Sequence, residues 1–175
     1  TVTPGSEAEL CARRDGVNFK YSDNDFVYEV RGSGDSFTYI ILPDGTAEIA
    51  YCGYNVNYHE TPEFEVEIPA MVENVPVTSI GMYAFADKSS ITSVTVPEGV
   101  TVIHDGAFAR CDRLYHVYLP QSLLTIGDGA FFFCEGLKTV DLPENLVTIG
   151  EAAFCQCFCQ RMGIDSIIVF HDYSL

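Results

Sequence analysis

Apolar residues recur along the second half of this chain at a fixed interval of 23 positions. Ile80, Ile103, Ile126 and Ile149 are each followed five residues later by the phenylalanine of an Ala-Phe pair, at Phe85, Phe108, Phe131 and Phe154. Between these marks runs a second set of columns: Ile91, Val94, Val96 and Pro97, then Leu114, Val117, Leu119 and Pro120, then Leu137, Val140, Leu142 and Pro143. Cys111, Cys134 and Cys157 add a further column. A period of this length marks a solenoid, because a unit of 23 residues cannot enclose its own apolar face and must stack on copies of itself.

Each unit has an internal logic. In Leu137-x-x-Val140-x-Leu142 the spacing ends in a period of two, which predicts a short strand with its apolar side inward. The proline that follows has no amide hydrogen, so the chain must turn before a second short extended segment that ends at the column isoleucine. The Asp-Gly-Ala-Phe stretches at Asp105–Phe108 and Asp128–Phe131 predict a short helical turn, with the acid capping exposed amides and the phenylalanine plugging the core.

The pattern L-x-x-V-x-L-P followed by I-G-x-x-A-F-x-x-C resembles the BspA-like class of leucine-rich repeats, closely so from Val77 to Cys157. The resemblance implies a bacterial or protist surface or secreted protein concerned with adhesion and host contact. It brings no active-site motif. The expected fold is a β-rich leucine-rich-repeat solenoid of the α/β type, with short parallel strands, short helical turns and an N-terminal β-hairpin cap.

The ends depart from the repeat. Phe37–Leu42 and Thr46–Cys52 are β-rich runs on either side of Pro43-Asp44-Gly45, a turn sequence, so a hairpin is expected there, and with Asp25–Val30 it would cap the solenoid. Glu65–Pro69 reads as the strand and proline of a repeat, carrying five extra residues before Ile80. Ile164, Ile167 and Val169 repeat the strand pattern after four inserted residues. Residues 1–76 are thus an N-terminal segment and β-cap, and 77–175 about four and a half repeats. With no polar closing unit after them, the C-terminal end is expected to self-associate or to be truncated.

Charge narrows the partners. The 175 residues hold 9 Lys and Arg against 25 Asp and Glu, a net charge of -16, which disfavours nucleic acid and anionic membrane surfaces. The front is the more acidic, with 14 acids and 4 bases in residues 1–76 against 11 and 5 in the rest. No apolar run is long enough to insert in a membrane.

Candidate chemistry is sparse. Cysteines at 111, 134 and 157 fit an interior ladder as buried thiols, with disulfides as the competing arrangement. Cys155-x-Cys157-x-Cys159 lacks the spacing and fourth ligand of a zinc site, and Cys11 with Cys52 could tie the N-terminus to the hairpin. Asp105, Asp128 and Glu151 stack in one column that a calcium ion could relieve, although turn caps on a solvated rim account for them as well. His59, His104, His116 and His171 match no catalytic motif, so no catalytic residue, metal ligand or cofactor is assigned. Phe132 and Phe133 beside Phe131 mark local repacking or a binding knob.

Strand positions alternating with the core ladder should form one exposed sheet face: Ser93 and Thr95, His116 and Tyr118, Thr139 and Asp141, Ser166 and Ile168. On it Tyr115, His116, Tyr118, Thr139 and Asp141 make the candidate ligand-binding set, an aromatic and hydrogen-bonding spot suited to recognition. The function expected is a secreted or cell-surface, non-catalytic module binding a protein partner of the host extracellular matrix or cell surface. The alternatives are a carbohydrate-binding module using the same tyrosines, or a structural spacer of a larger surface protein.

Overall fold

The structure is a computed structural model and describes residues 27–31, 36–52 and 64–158. In chain order its strands are Val27–Arg31 (β1), Ser36–Ile41 (β2), Ala47–Cys52 (β3), Phe64–Glu67 (β4), Met71–Val72 (β5), Val75–Ile80 (β6), Ile91–Thr95 (β7), Val102–Ile103 (β8), His116–Tyr118 (β9), Thr125–Ile126 (β10) and Thr148–Ile149 (β11). The repeat places them in parallel ladders one period apart. Ser93, Val94 and Thr95 pair with His116, Val117 and Tyr118, and Ile80, Ile103, Ile126 and Ile149 are successive partners. One sheet runs β4-β7-β9, and the other runs β1-β2-β3-β6-β8-β10-β11 with β5 joined to β6.

The prolines turn the chain from one sheet to the other. The carbonyls of Pro97, Pro120 and Pro143 accept from the amides of Val100, Leu123 and Leu146, closing a tight turn in each coil. Val100 and Leu123 are fully buried behind it.

A third ladder replaces the expected helical turns. Ala84, Ala107, Ala130 and Ala153 donate to the carbonyls three residues back, as the start of a helix would. Left-handed residues then stop propagation: Tyr83, Gly106, Gly129 and Ala152 share one column, and Asp87, Arg110, Phe133 and Gln156 another, with φ between 54° and 62°. The backbone between them alternates, so that Phe85, Phe108 and Phe131 donate to Ala107, Ala130 and Ala153 of the next coil. No described residue is α-helical, and among them no helix is long and apolar enough to cross a membrane.

The phenylalanine column is the axis of the core. Rings of Phe85, Phe108, Phe131 and Phe154 stack at centroid separations of 4.9, 5.2 and 5.1 Å, almost parallel, and are buried. Offset stacking at this separation adds to the area that each ring removes from water.

The hairpin forms as expected and joins the solenoid edge to edge. β2 and β3 are antiparallel, closed by Asp44-Gly45, where Gly45 has φ 83° and the Asp44 carboxylate accepts from the amide and hydroxyl of Thr46. Those bonds hold the Asp44 carboxyl below the usual carboxylate range. β1 adds antiparallel to β2, and β3 lies parallel to β6. Phe37 sets its ring 6.1 Å from Phe85, extending the phenylalanine column into the cap. The extra residues after Pro69 form a small hairpin, β5 against β6, turned by Glu73 and Asn74 at φ 48° and 67°.

The fourth copy of the strand pattern, 137–142, keeps Leu137 buried and Val140 and Leu142 half-buried but has no strand pairing. Residues 1–26, Cys159, and the last strand pattern at Ile164, Ile167 and Val169 lie outside the described residues, and with them the expectations placed there.

Candidate functional site

Alternation along β7 and β9 turns Val94 and Val117 into the core, which aims their neighbours outward. Across the three strands the outward positions form two rows. Glu65, Ser93 and His116 are in register, as are Glu67, Thr95 and Tyr118. Thr139 and Asp141, one coil further, are exposed as well. Tyr118 is 59% exposed, the joint largest value among the large hydrophobic side chains described. Ser93 departs from expectation: it is buried, a small side chain on the middle strand in register with Glu65 on one side and His116 on the other.

Tyr115 reaches the face by another route. Its ring lies across the next coil at Gly136, where a Cβ would come within 2.9 Å of the ring and 2.8 Å of the Asp112 carbonyl. The amide of Gly136 donates to that carbonyl at 2.9 Å. One side of the ring therefore packs on backbone, leaving the residue 37% exposed. Beside it, partial burial and the nearby Glu135 charge push the Asp112 carboxyl above the usual carboxylate range, despite an opposing effect from Arg110. The structure thus brings Tyr115, His116, Tyr118, Thr139 and Asp141 onto adjacent coils, with Glu65 and Glu67 at one end.

The other candidates resolve into structural roles. Cys111, Cys134 and Cys157 are buried thiols whose Sγ atoms donate to the carbonyls of Phe85, Phe108 and Phe131 at 3.1, 3.0 and 2.9 Å. Burial, and hydrogen bonding to the thiols above and below, push the Cys134 thiol well up and leave it a poor nucleophile. The acid column caps backbone, but on the neighbouring coil rather than its own turn. Asp105 accepts from the amide of Asp128 at 2.8 Å, and Asp128 from that of Glu151 at 2.7 Å. Phe132 and Phe133 meet edge to face at 4.6 Å, the first half-buried and the second 37% exposed.

One cluster had no signal in the sequence. At the junction of cap and solenoid, Glu48 on β3 accepts from Ser79 on β6 at 3.2 Å and lies 3.3 Å from Nε2 of His104. The residues are separated by 31 and 25 positions and belong to different columns, so only the folded register brings them together.

Comparison with known proteins agrees with this architecture. A model of the BspA type leucine-rich repeat region matches residues 58–174 in six copies. A leucine-rich repeat protein of Bacteroides capillosus shares 32% identity at a TM-score of 0.64, over 75% of this chain and 93% of its own. The leucine-rich repeat protein of T. pallidum shares 28% at 0.62, over 67% of this chain and 52% of its own. A leucine rich cell surface protein of Faecalibacterium prausnitzii shares 29% at 0.63, over 78% of this chain and 35% of its own. The chain therefore spans about half of the T. pallidum protein and about a third of the F. prausnitzii one. A search of curated proteins found no match.

Proposed function

We propose, from the premise that this chain belongs to the BspA-type leucine-rich repeat family, that it is a non-catalytic recognition module, secreted or carried at a cell surface, that binds a protein partner of the host matrix or cell surface. The outward face of β4-β7-β9 is the binding surface, and the observation that carries the reading is Tyr118, held 59% exposed on a paired strand with Tyr115 and His116 beside it. Backbone ladders on each coil fix these side chains in advance, so little conformational entropy is lost on contact. Aromatic residues presented this way are the usual anchors of protein interfaces. The description of the F. prausnitzii relative as a cell surface protein supports the location.

The test is binding to immobilised extracellular-matrix proteins, with a glycan array run in parallel. Tyr118→Ala should weaken matrix binding by about tenfold, as loss of an interface anchor does. Tyr115→Phe should retain it, because the ring stays packed on Gly136. Glycan binding lost with Tyr118→Ala would instead assign a carbohydrate ligand. Indifference of both assays to Tyr118 would leave the spacer role.

A further inference from the structure

We propose that this face takes a cationic segment of the partner: an extended stretch of polypeptide whose arginine or lysine side chains lie over Tyr118 and Tyr115 and pair with the surrounding carboxylates. The proposal deepens the recognition reading above and rests on it.

The surroundings of the two tyrosines carry the argument. Glu65 and Glu67 stand exposed on β4, in register with His116 and Tyr118 across β7. Asp141 follows Tyr118 by one repeat, and Asp112, whose backbone carbonyl meets Gly136 where the Tyr115 ring crosses it, has the Glu135 charge nearby. Against these carboxylates the described residues of the strip set Arg110, Arg113 and Lys138, and Arg110 is already paired with Asp87 at 3.0 Å. Beside the larger effect of partial burial, the Glu135 charge disfavours ionisation of Asp112, with Arg110 opposing it. A cation arriving there would relieve that repulsion.

Aromatic faces and carboxylates together select a particular ligand chemistry. A tyrosine ring attracts a guanidinium or ammonium through its negative face, and neighbouring carboxylates take up the remaining hydrogen bonds of the same group. An anionic ligand is repelled by the strip and by the net charge of -16. Coil spacing of about 4.8 Å and about 6.6 Å between alternate residues of a strand give a grid that an extended chain can follow.

A short fluorescently labelled peptide of alternating arginine and serine, titrated with the full chain at about 0.15 M salt, reads this directly by anisotropy. Saturable binding is expected, absent for the same peptide with glutamate in place of arginine. Tyr118→Ala, and separately the pair Glu67→Gln with Asp141→Asn, should each weaken it by about threefold to tenfold. The pair Glu73→Gln with Glu151→Gln removes the same charge at exposed positions outside the strip and should change it by less than about twofold. No saturable binding, or equal losses from the two pairs, overturns the proposal. If the peptide fails while Tyr118→Ala still abolishes matrix binding, the cationic ligand is wrong and the recognition face stands. If Tyr118→Ala alters neither, both are wrong.

Discussion

At the scale of single residues the repeat assigns each side chain one of two jobs, filling a ladder or facing water, and Asp112 is caught between them. Its carboxyl is partly buried and sits near Glu135, so folding raises its proton affinity above that of the unfolded chain. The sign of the linkage follows. The contribution of Asp112 favours the folded state while the group is protonated, below its unfolded value, and is lost as pH rises through the raised folded value. At neutral pH, Asp112→Asn should therefore raise the urea midpoint over wild type, and the advantage should shrink as pH falls through the carboxylate range. A variant less stable than wild type at neutral pH would show that the carboxylate contributes a favourable contact instead. Exposure of the aspartate to solvent keeps the effect modest.

At the scale of elements, the parts legible in the sequence are those that depend on one repeat's own spacing. Inward Val94 and Val117, outward His116 and Tyr118, the turns at proline and the phenylalanine stack follow from periodicity, and the hairpin outside the repeats follows from its local turn residues Pro43-Asp44-Gly45. What escaped depends on contact between coils. The left-handed positions are glycine in only two of eight cases, at Gly106 and Gly129, so nothing in the other six residues distinguishes the turns from a helix. Burial of Ser93 and the Glu48–His104 contact likewise exist only once neighbouring strands are in register. Gly127 shows how closely the coils approach. A Cβ there would fall 2.3 Å from the Asp105 Oδ1 and 2.6 Å from its amide nitrogen, at the position where Asp105 captures the amide of the next coil. Gly127→Ala should cost about 1–3 kcal/mol by overpacking, and the thermal midpoint should fall by several degrees. A Cβ at Gly150 would crowd the amide nitrogen and Oδ1 of Asp128 in the same way, and its alanine variant should behave alike. Wild-type midpoints for both would mean that the coils can part without loss.

At the scale of the molecule, solenoids are nearest-neighbour assemblies, so a cap could in principle melt apart from the coils it covers. Here the two share backbone and core. β3 pairs with β6, the amide of Cys52 donates to Ala84, that of Gly81 donates to Ile49, and Phe37 ends the ring column at Phe85. A single ladder consequently runs from β1 to β11, and one apolar cluster extends from Phe37 to Cys157. Phe37→Ala should cost about 3–5 kcal/mol, the usual range for removing a buried phenylalanine. The loss should also be shared, with signals from the hairpin and from the tyrosines of the recognition face falling together in one transition at a lower temperature. Two separated transitions, the earlier confined to the hairpin, would show the cap to be an appendage. A common transition would mean that the rigidity of the face around Tyr118 depends on a ring at the far end of the stack.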